Sequence, residues 1–278
     1  MSSNTLSRVI SAFAMLLIVL ICVYLGKNPT LILCLFVSML CIDELLINFG
    51  KISRETFIYY FSQGMFLIIF LLINIFFKLH LSKLFFTLVS LFLNGFLIFY
   101  LFKIPLQENF MKNSSDKYLG LLSLLVAFPM LSFGIYFESE NWRQIIGLLL
   151  IVTFSMDTGA WFFGKNFGSH KLWPEISPKK TIEGFVGGIT TSAILGTSAW
   201  MFFFHEFKWE CSVIFAICGA MSQVGDLIQS KIKREFGIKD SSNLIPGHGG
   251  IYDRIDSLIF LSPFFVVVVK YLGRHLSI

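Results

Sequence analysis

Four aspartates stand out in a chain that is otherwise apolar. Asp157 lies in Ser155-Met156-Asp157-Thr158-Gly159-Ala160, Asp226 in Ser222-Gln223-Val224-Gly225-Asp226, and Asp253 and Asp256 open the last apolar run. Carboxylates brought together repel one another, and each is costly to remove from water. A divalent cation relieves both costs, and a hard ion such as Mg²⁺ takes oxygen ligands. A structural salt-bridge cluster is the alternative. Asp253 and Asp256 are three apart and share a helix face. Ser222, Asp226 and Ser230 recur at four-residue intervals, a polar stripe that continues through Lys233 or Arg234 into the next loop.

Two polar stretches, 164–183 and 231–254, supply the opposite charge. The first contains Ser177-Pro178-Lys179-Lys180-Thr181-Ile182-Glu183-Gly184. The second contains Lys231, Lys233, Arg234 and Lys239, then Pro246-Gly247-His248-Gly249-Gly250 before Asp253. Glycines let backbone N–H groups surround an anion, and a helix begins just beyond. Taken alone, the lysines are explained by the excess of positive charge in cytoplasmic loops. Next to carboxylates and glycines, they describe a site for Mg²⁺-bound phosphates. His248 is either a general base or a hydrogen-bonding group within its loop. Gly184 and Gly188 form a G-x-x-x-G pair, which points to close helix packing. Asp43 and Glu44 stand apart in the second apolar run, as interfacial or paired structural acids or as groups facing a water-filled cavity. His80, His170, His205 and His275 fall at span ends. There is no H-E-x-x-H, Walker A loop or G-x-S-x-G elbow.

The elements that must hold these residues are set by composition. Hydrophobic residues make up 55% of the 278 and charged residues 14%, with mean hydropathy +0.76. Soluble domains carry about 25% charged residues. A soluble enzyme, a disordered chain and a collagen-like fibre are therefore excluded. Apolar blocks near 20 residues long match what a ~30 Å hydrocarbon layer asks of a helix. The expected fold is all-α, a polytopic integral membrane helical bundle of about nine transmembrane helices, at roughly 9–25, 29–48, 56–77, 84–102, 118–137, 144–163, 184–205, 211–230 and 255–273. The first run lacks a cleavage site and reads as a retained span. The five cysteines lie in apolar runs and predict neither zinc nor disulfides. Net charge is +5, which suits loops facing anionic headgroups or phosphates rather than nucleic acid. Counted on alternating sides of nine spans, Lys and Arg divide fifteen to seven in favour of the amino-terminal side. That side, with both long loops, is expected to be cytoplasmic.

The run from Ser230 through Lys233, Arg234, Lys239 and Asp240 to Ile245-Pro246-Gly247-His248-Gly249-Gly250-Ile251-Tyr252-Asp253-Arg254-Ile255-Asp256 resembles the signature of the phosphatidate cytidylyltransferases, or CDP-diacylglycerol synthases. Upstream, Asp157-Thr158-Gly159-Ala160 with Phe163-Gly164-Lys165, and Ser177 through Gly184, are similar to that family's other shared segments. The resemblance covers about 150–256 and divides the chain into amino-terminal spans, 1–140, and a catalytic region, 141–278. It implies that CTP and phosphatidic acid give CDP-diacylglycerol and pyrophosphate. It also implies Mg²⁺ held by Asp226 and Asp253, a second, monovalent cation such as K⁺, and a homodimer among membrane lipids. Asp226, Asp253, Asp256 and Lys239 are the expected catalytic residues. The expected substrate contacts are Asp157, Lys165, Ser177, Lys179, Lys180, Thr181, Ser222, Ser230, Lys233, Arg234, Asp240, His248, Gly249, Gly250 and Arg254. The expected localisation is a bacterial inner membrane, with the site on the cytoplasmic face that the Lys and Arg count gives. Two rivals remain: a CTP-dependent polyprenol- or phytol-type lipid kinase, which releases CDP, and an ion-coupled transporter, which places acids near the bilayer midplane.

Overall fold

The structure, a computed structural model, describes residues 3–118, 120–247 and 249–273, with side chains from residue 10 onward. Among the described residues, ten α-helices follow one another: α1 (Ser3–Leu25), α2 (Lys27–Glu44), α3 (Phe57–Leu71), α4 (His80–Lys103), α5 (Phe110–Lys117), α6 (Leu124–Phe133), α7 (Trp142–Phe167), α8 (Ile182–Phe204), α9 (Trp209–Glu235) and α10 (Tyr252–Leu272). A two-stranded antiparallel hairpin, β1 (Lys171–Trp173) and β2 (Ser177–Thr181), joins α7 to α8. π-Helical turns extend α2 through Leu45–Phe49 and α3 through Leu72–Phe76.

Among the described residues, eight helical stretches are long and apolar enough to cross a membrane, from Lys27–Phe49 to Tyr252–Leu272. The expected all-α polytopic membrane class therefore stands. The ninth expected span, at 9–25, falls on the helix α1. Large side chains such as Phe92 (82% exposed) and Phe202 (75%) point outward. In water such a surface would drive association; against lipid tails it carries no such cost.

Two expected loops differ in detail. The stretch 164–183 holds the hairpin, preceded by a longer α7. Lys231, Lys233 and Arg234 lie within the last turns of α9, leaving 236–251 as the loop. Three basic groups are thereby fixed by helical geometry, and cations near a helix C-terminus are favoured by its dipole.

The chain divides into two compact units. One comprises the segment ending at Leu93, Ile104–Gly134 and Ile232–Ile255. Its core gathers Cys41, Ile42, Leu45, Leu46 and Phe49 with Phe66 and Phe70. Phe49 meets Phe236 edge to face at 5.4 Å. The buried Gln63 donates from Nε2 to the Met39 carbonyl at 3.0 Å.

The other unit comprises Asn94–Lys103, Ile135–Lys231 and the segment from Asp256 on. Here α7 and α8 approach closely. A Cβ on Gly188 would sit 2.7 Å from Met156 Sδ, and one on Gly184 would sit 2.7 Å from the Ala160 carbonyl oxygen. The G-x-x-x-G pair is thus a packing device, as expected. Lys231 is 1% exposed and donates to the carbonyls of Tyr100 (2.7 Å) and Leu101 (3.2 Å), with the Tyr100 ring 4.2 Å away. Those carbonyls belong to the last turn of α4, where helix geometry leaves acceptors without an intrahelical donor. The five cysteines are free thiols.

Candidate active site

In the unit containing most of α9, Asp226 anchors a small polar network. Lys180, near the end of β2, donates to Asp226 Oδ2 at 2.5 Å, and Ser230, one turn further along α9, donates to Oδ1 at 3.2 Å. The Asp226–Ser230 step of the expected four-residue stripe is therefore a hydrogen bond. The hairpin that carries Lys180 is tied at its base. His170 Nδ1 lies 2.6 Å from Glu183 Oε1, and the His170 amide donates to the same carboxylate. Thr181 is 6% exposed and caps α8, its hydroxyl accepting from the Gly184 amide at 3.1 Å. Of the other expected contacts, Lys179 is exposed beside Lys180 and Ser177 is half-buried. Lys165 lies 5.1 Å from the Trp161 ring centroid, and Asp157 is exposed on α7.

The interior of α9 carries polar atoms that sequence spacing only partly marked. Ser222 Oγ, Gln223 Nε2 and both polar atoms of Gln229 are buried with no hydrogen-bond partner among the described residues. A buried polar group left so costs about 1–3 kcal/mol. Such atoms mark places where a bound water or a polar ligand atom gains the most.

In the unit containing the glycine-rich loop, Asp253 is the hub. Its side chain is 4% exposed. Oδ1 accepts from Lys233 Nζ at 2.8 Å, while Oδ2 accepts from the amides of Ser241 (2.7 Å) and Gly250 (3.1 Å). The loop was expected to wrap its amides around a substrate anion. The amides at 241 and 250–252 instead serve the protein's own anions, Asp253 and Glu44. Gly249 has φ +84, the left-handed region that glycine adopts at little cost. Lys239 and Asp240 are exposed in the loop, Arg254 is exposed at the start of α10, and Arg234 donates to the Ile238 carbonyl at 3.4 Å. Asp256 is half-buried and belongs to the other unit. His248 lies outside the described residues.

Glu44 is the residue whose role the sequence did not disclose. It is 2% exposed, and its two oxygens accept from Ser241 Oγ, Ser242 Oγ and the amides of Ile251 and Tyr252. A carboxylate within an apolar run was the only available signal, since its partners lie about two hundred positions later. Asp43, by contrast, is a surface anchor. It takes a two-pronged contact from Arg54 at 2.9 and 3.1 Å and a hydrogen bond from Tyr59 at 2.6 Å. The hydrogen bond to Asp43, then its charge, raises the Arg54 pKa further.

Among the described residues, no group of three or more His, Cys, Asp or Glu side chains could hold a metal on its own. Of the four carboxylates singled out in the sequence, Asp157, Asp226 and Asp256 belong to one unit and Asp253 to the other. The donor chemistry still fits Mg²⁺, which is commonly bound by one or two carboxylates and completed by waters and substrate phosphates. Asp226 and Asp253 each offer hard oxygens that now receive a lysine ammonium.

The sequence profile described as "Cytidylyltransferase family" matches residues 6–272. Phosphatidate cytidylyltransferase of Staphylococcus aureus (strain COL) is 46% identical over 143 residues, covering 50% of this chain and 54% of the relative. Proteins of the same name from Staphylococcus epidermidis and Staphylococcus saprophyticus are 45% and 44% identical over 141 residues, with the same shares covered. The chain spans about half the length of the curated relatives it matches.

Proposed function

The chain belongs to the cytidylyltransferase family, and from that premise we propose that it is a CTP:phosphatidate cytidylyltransferase. It transfers CMP from CTP to phosphatidic acid, giving CDP-diacylglycerol and pyrophosphate. The observation that carries this reading is that the two acids the resemblance assigns to the metal each hold a lysine, Asp226 with Lys180 and Asp253 with Lys233. Acid and base are pre-paired where anions must be handled.

The chemistry explains why such pairs suit the task. The phosphatidate phosphate is an anionic nucleophile, so little base catalysis is needed. The obstacle is bringing two polyanions together for in-line displacement at the α-phosphorus. A lysine ammonium carries three N–H donors, and the contact with aspartate uses one. Lys180 and Lys233 are thereby oriented by the carboxylates while retaining donors for phosphate oxygens. Lys179, Arg234 and Lys239 add positive charge toward the triphosphate and the leaving pyrophosphate. Asp226 and Asp253 would hold Mg²⁺, with Asp256 and Asp240 orienting its waters or the basic groups. When bound, the ion neutralises phosphate charge and stabilises the charge that develops in transfer. A second, monovalent cation such as K⁺ belongs to the same proposal.

The polar residues concentrate at 157–183 and 222–256, and the excess of Lys and Arg on that side supports a cytoplasmic site in a bacterial inner membrane. CTP then comes from the cytosol, and the lipid tails stay in the bilayer. The homodimer is part of this reading. The test is product analysis with purified protein, CTP and Mg²⁺, with phosphatidic acid or a polyprenol as the acceptor. Pyrophosphate and CDP-diacylglycerol support the proposal, whereas CDP and a phosphorylated lipid would move the chain to the lipid kinases.

A further inference from the structure

Glu44 lies at the end of α2 with no part in the chemistry just described. Its Oε1 accepts from Ser242 Oγ at 2.6 Å and from the Ile251 amide at 2.9 Å. Its Oε2 accepts from Ser241 Oγ at 2.9 Å and from the Tyr252 amide at 2.9 Å. Two of these donors precede the loop's glycines and two follow them. A single buried carboxylate therefore fastens both ends of the segment 241–252. Two of its donors are amides at the start of α10, where a negative charge is also favoured by the helix dipole.

The same segment holds Asp253. The amides of Ser241 and Gly250 donate to Asp253 Oδ2, and the Ser241 hydroxyl lies 3.0 Å from that oxygen as well as 2.9 Å from Glu44 Oε2. A hydroxyl has one proton to donate, so Ser241 serves one acid at a time and joins the two. Gly250 gives independent support. A Cβ there would run into the Ser241 hydroxyl and come within 2.6 and 2.8 Å of the two Glu44 oxygens. The space a side chain would take at Gly250 is filled first by the Ser241 hydroxyl and then by the Glu44 carboxylate. All these contacts lie within one compact unit.

We propose that Glu44 is a positioning residue: it fixes the segment 241–252 so that Asp253, with Lys233, meets the phosphates in one geometry. The inference rests on the reading of Asp253 as part of the reaction site. Glu44 acts through Ser241 and the loop amides and touches no reacting atom. A displacement of about 1 Å at a reaction centre can cost on the order of a hundredfold in rate, so a loosened segment predicts a large kinetic effect.

The test compares wild-type protein with Glu44→Gln and Glu44→Ala, purified in lipid nanodiscs, by two readouts. The first is amide hydrogen exchange over 240–256 without substrate. Exchange at 241–252 is expected to rise about tenfold or more while the other helices keep their protection. The second is turnover against Mg²⁺ concentration. The rate should fall roughly a hundredfold and the half-activating Mg²⁺ concentration should rise, which a mere loss of folded protein would not produce. Should the Glu44 variants fail to fold, Ser242→Ala removes one of the four donors, and a smaller local rise in exchange is expected. Unchanged exchange at 241–252 overturns the proposal. So does increased exchange with rate and Mg²⁺ dependence at wild-type values. If the wild-type chain does not turn over CTP, the functional reading fails, and the exchange arm still decides whether Glu44 holds the segment.

Discussion

Lys180 sets its ammonium 2.5 Å from the carboxylate of Asp226, joining the β-hairpin to α9. By sequence, one residue looked suited to phosphate and the other to metal. In the folded chain they are partners, each orienting the other. The pair is partly exposed, at 21% and 30% for the two side chains, so its contribution to stability is small, about 1 kcal/mol or less. Its value is placement of charge. Lys180→Met is expected to leave the thermal midpoint in detergent nearly unchanged while lowering CTP turnover about a hundredfold, the scale of losing an electrostatic contact to a transferring phosphoryl group. Turnover within a factor of three of wild type would remove Lys180 from the mechanism.

Lys233 and Asp253 behave differently because they are enclosed, at 11% and 4% exposure. Lys233→Met leaves the Asp253 charge without its ammonium, and breaking a buried pair from one side costs about 3–5 kcal/mol. Adding Asp253→Asn removes the orphaned charge and should restore part of that stability, though no activity. A double-mutant cycle from denaturation midpoints, set beside turnover, checks both parts. Additive stability losses would mean that the two residues are not coupled.

Metal dependence is expected to be complete. EDTA should abolish transfer, and Mg²⁺ should restore it. Asp226→Asn should raise the Mg²⁺ concentration needed for half-maximal activity, read from initial rates, by about tenfold or more. Undiminished turnover in EDTA would contradict the assignment of Asp226 and Asp253 as Mg²⁺ carboxylates.

The seam between α7 and α8 supplies a stability prediction away from the chemistry. Gly188→Ala places a methyl 2.7 Å from Met156 Sδ and 2.8 Å from the Met156 carbonyl oxygen. Overpacking of this kind costs about 1–3 kcal/mol, to be read as a lowered thermal midpoint. A midpoint equal to wild type would show that the helices separate freely here.

The helices were legible because hydropathy sets them: runs such as 144–163 and 184–205 leave a chain in lipid no option but to satisfy its backbone internally. The polar stripe on α9 was legible for the same reason, since Asp226 and Ser230 sit four apart on a periodic element. The hairpin at 171–181 was not. Its strands are short, Pro178 argues against a strand interior, and no alternating apolar pattern marks it. The role of Glu44 was hidden by distance along the chain, its partners Ser241 and Ser242 lying 197 and 198 residues away. The destination of the loop amides was hidden too. Glycines announced an anion, and nothing local said that the anions would be Glu44 and Asp253 rather than a phosphate.

The most direct measurement follows the α-phosphorus of CTP. Purified protein is given phosphatidic acid, Mg²⁺ and α-labelled CTP, and the label is tracked into lipid alongside released pyrophosphate. Wild-type protein is expected to yield labelled CDP-diacylglycerol with one pyrophosphate per lipid, and folded, membrane-inserted Asp253→Asn to yield neither. Label remaining in CDP, or full turnover by Asp253→Asn, would contradict the account.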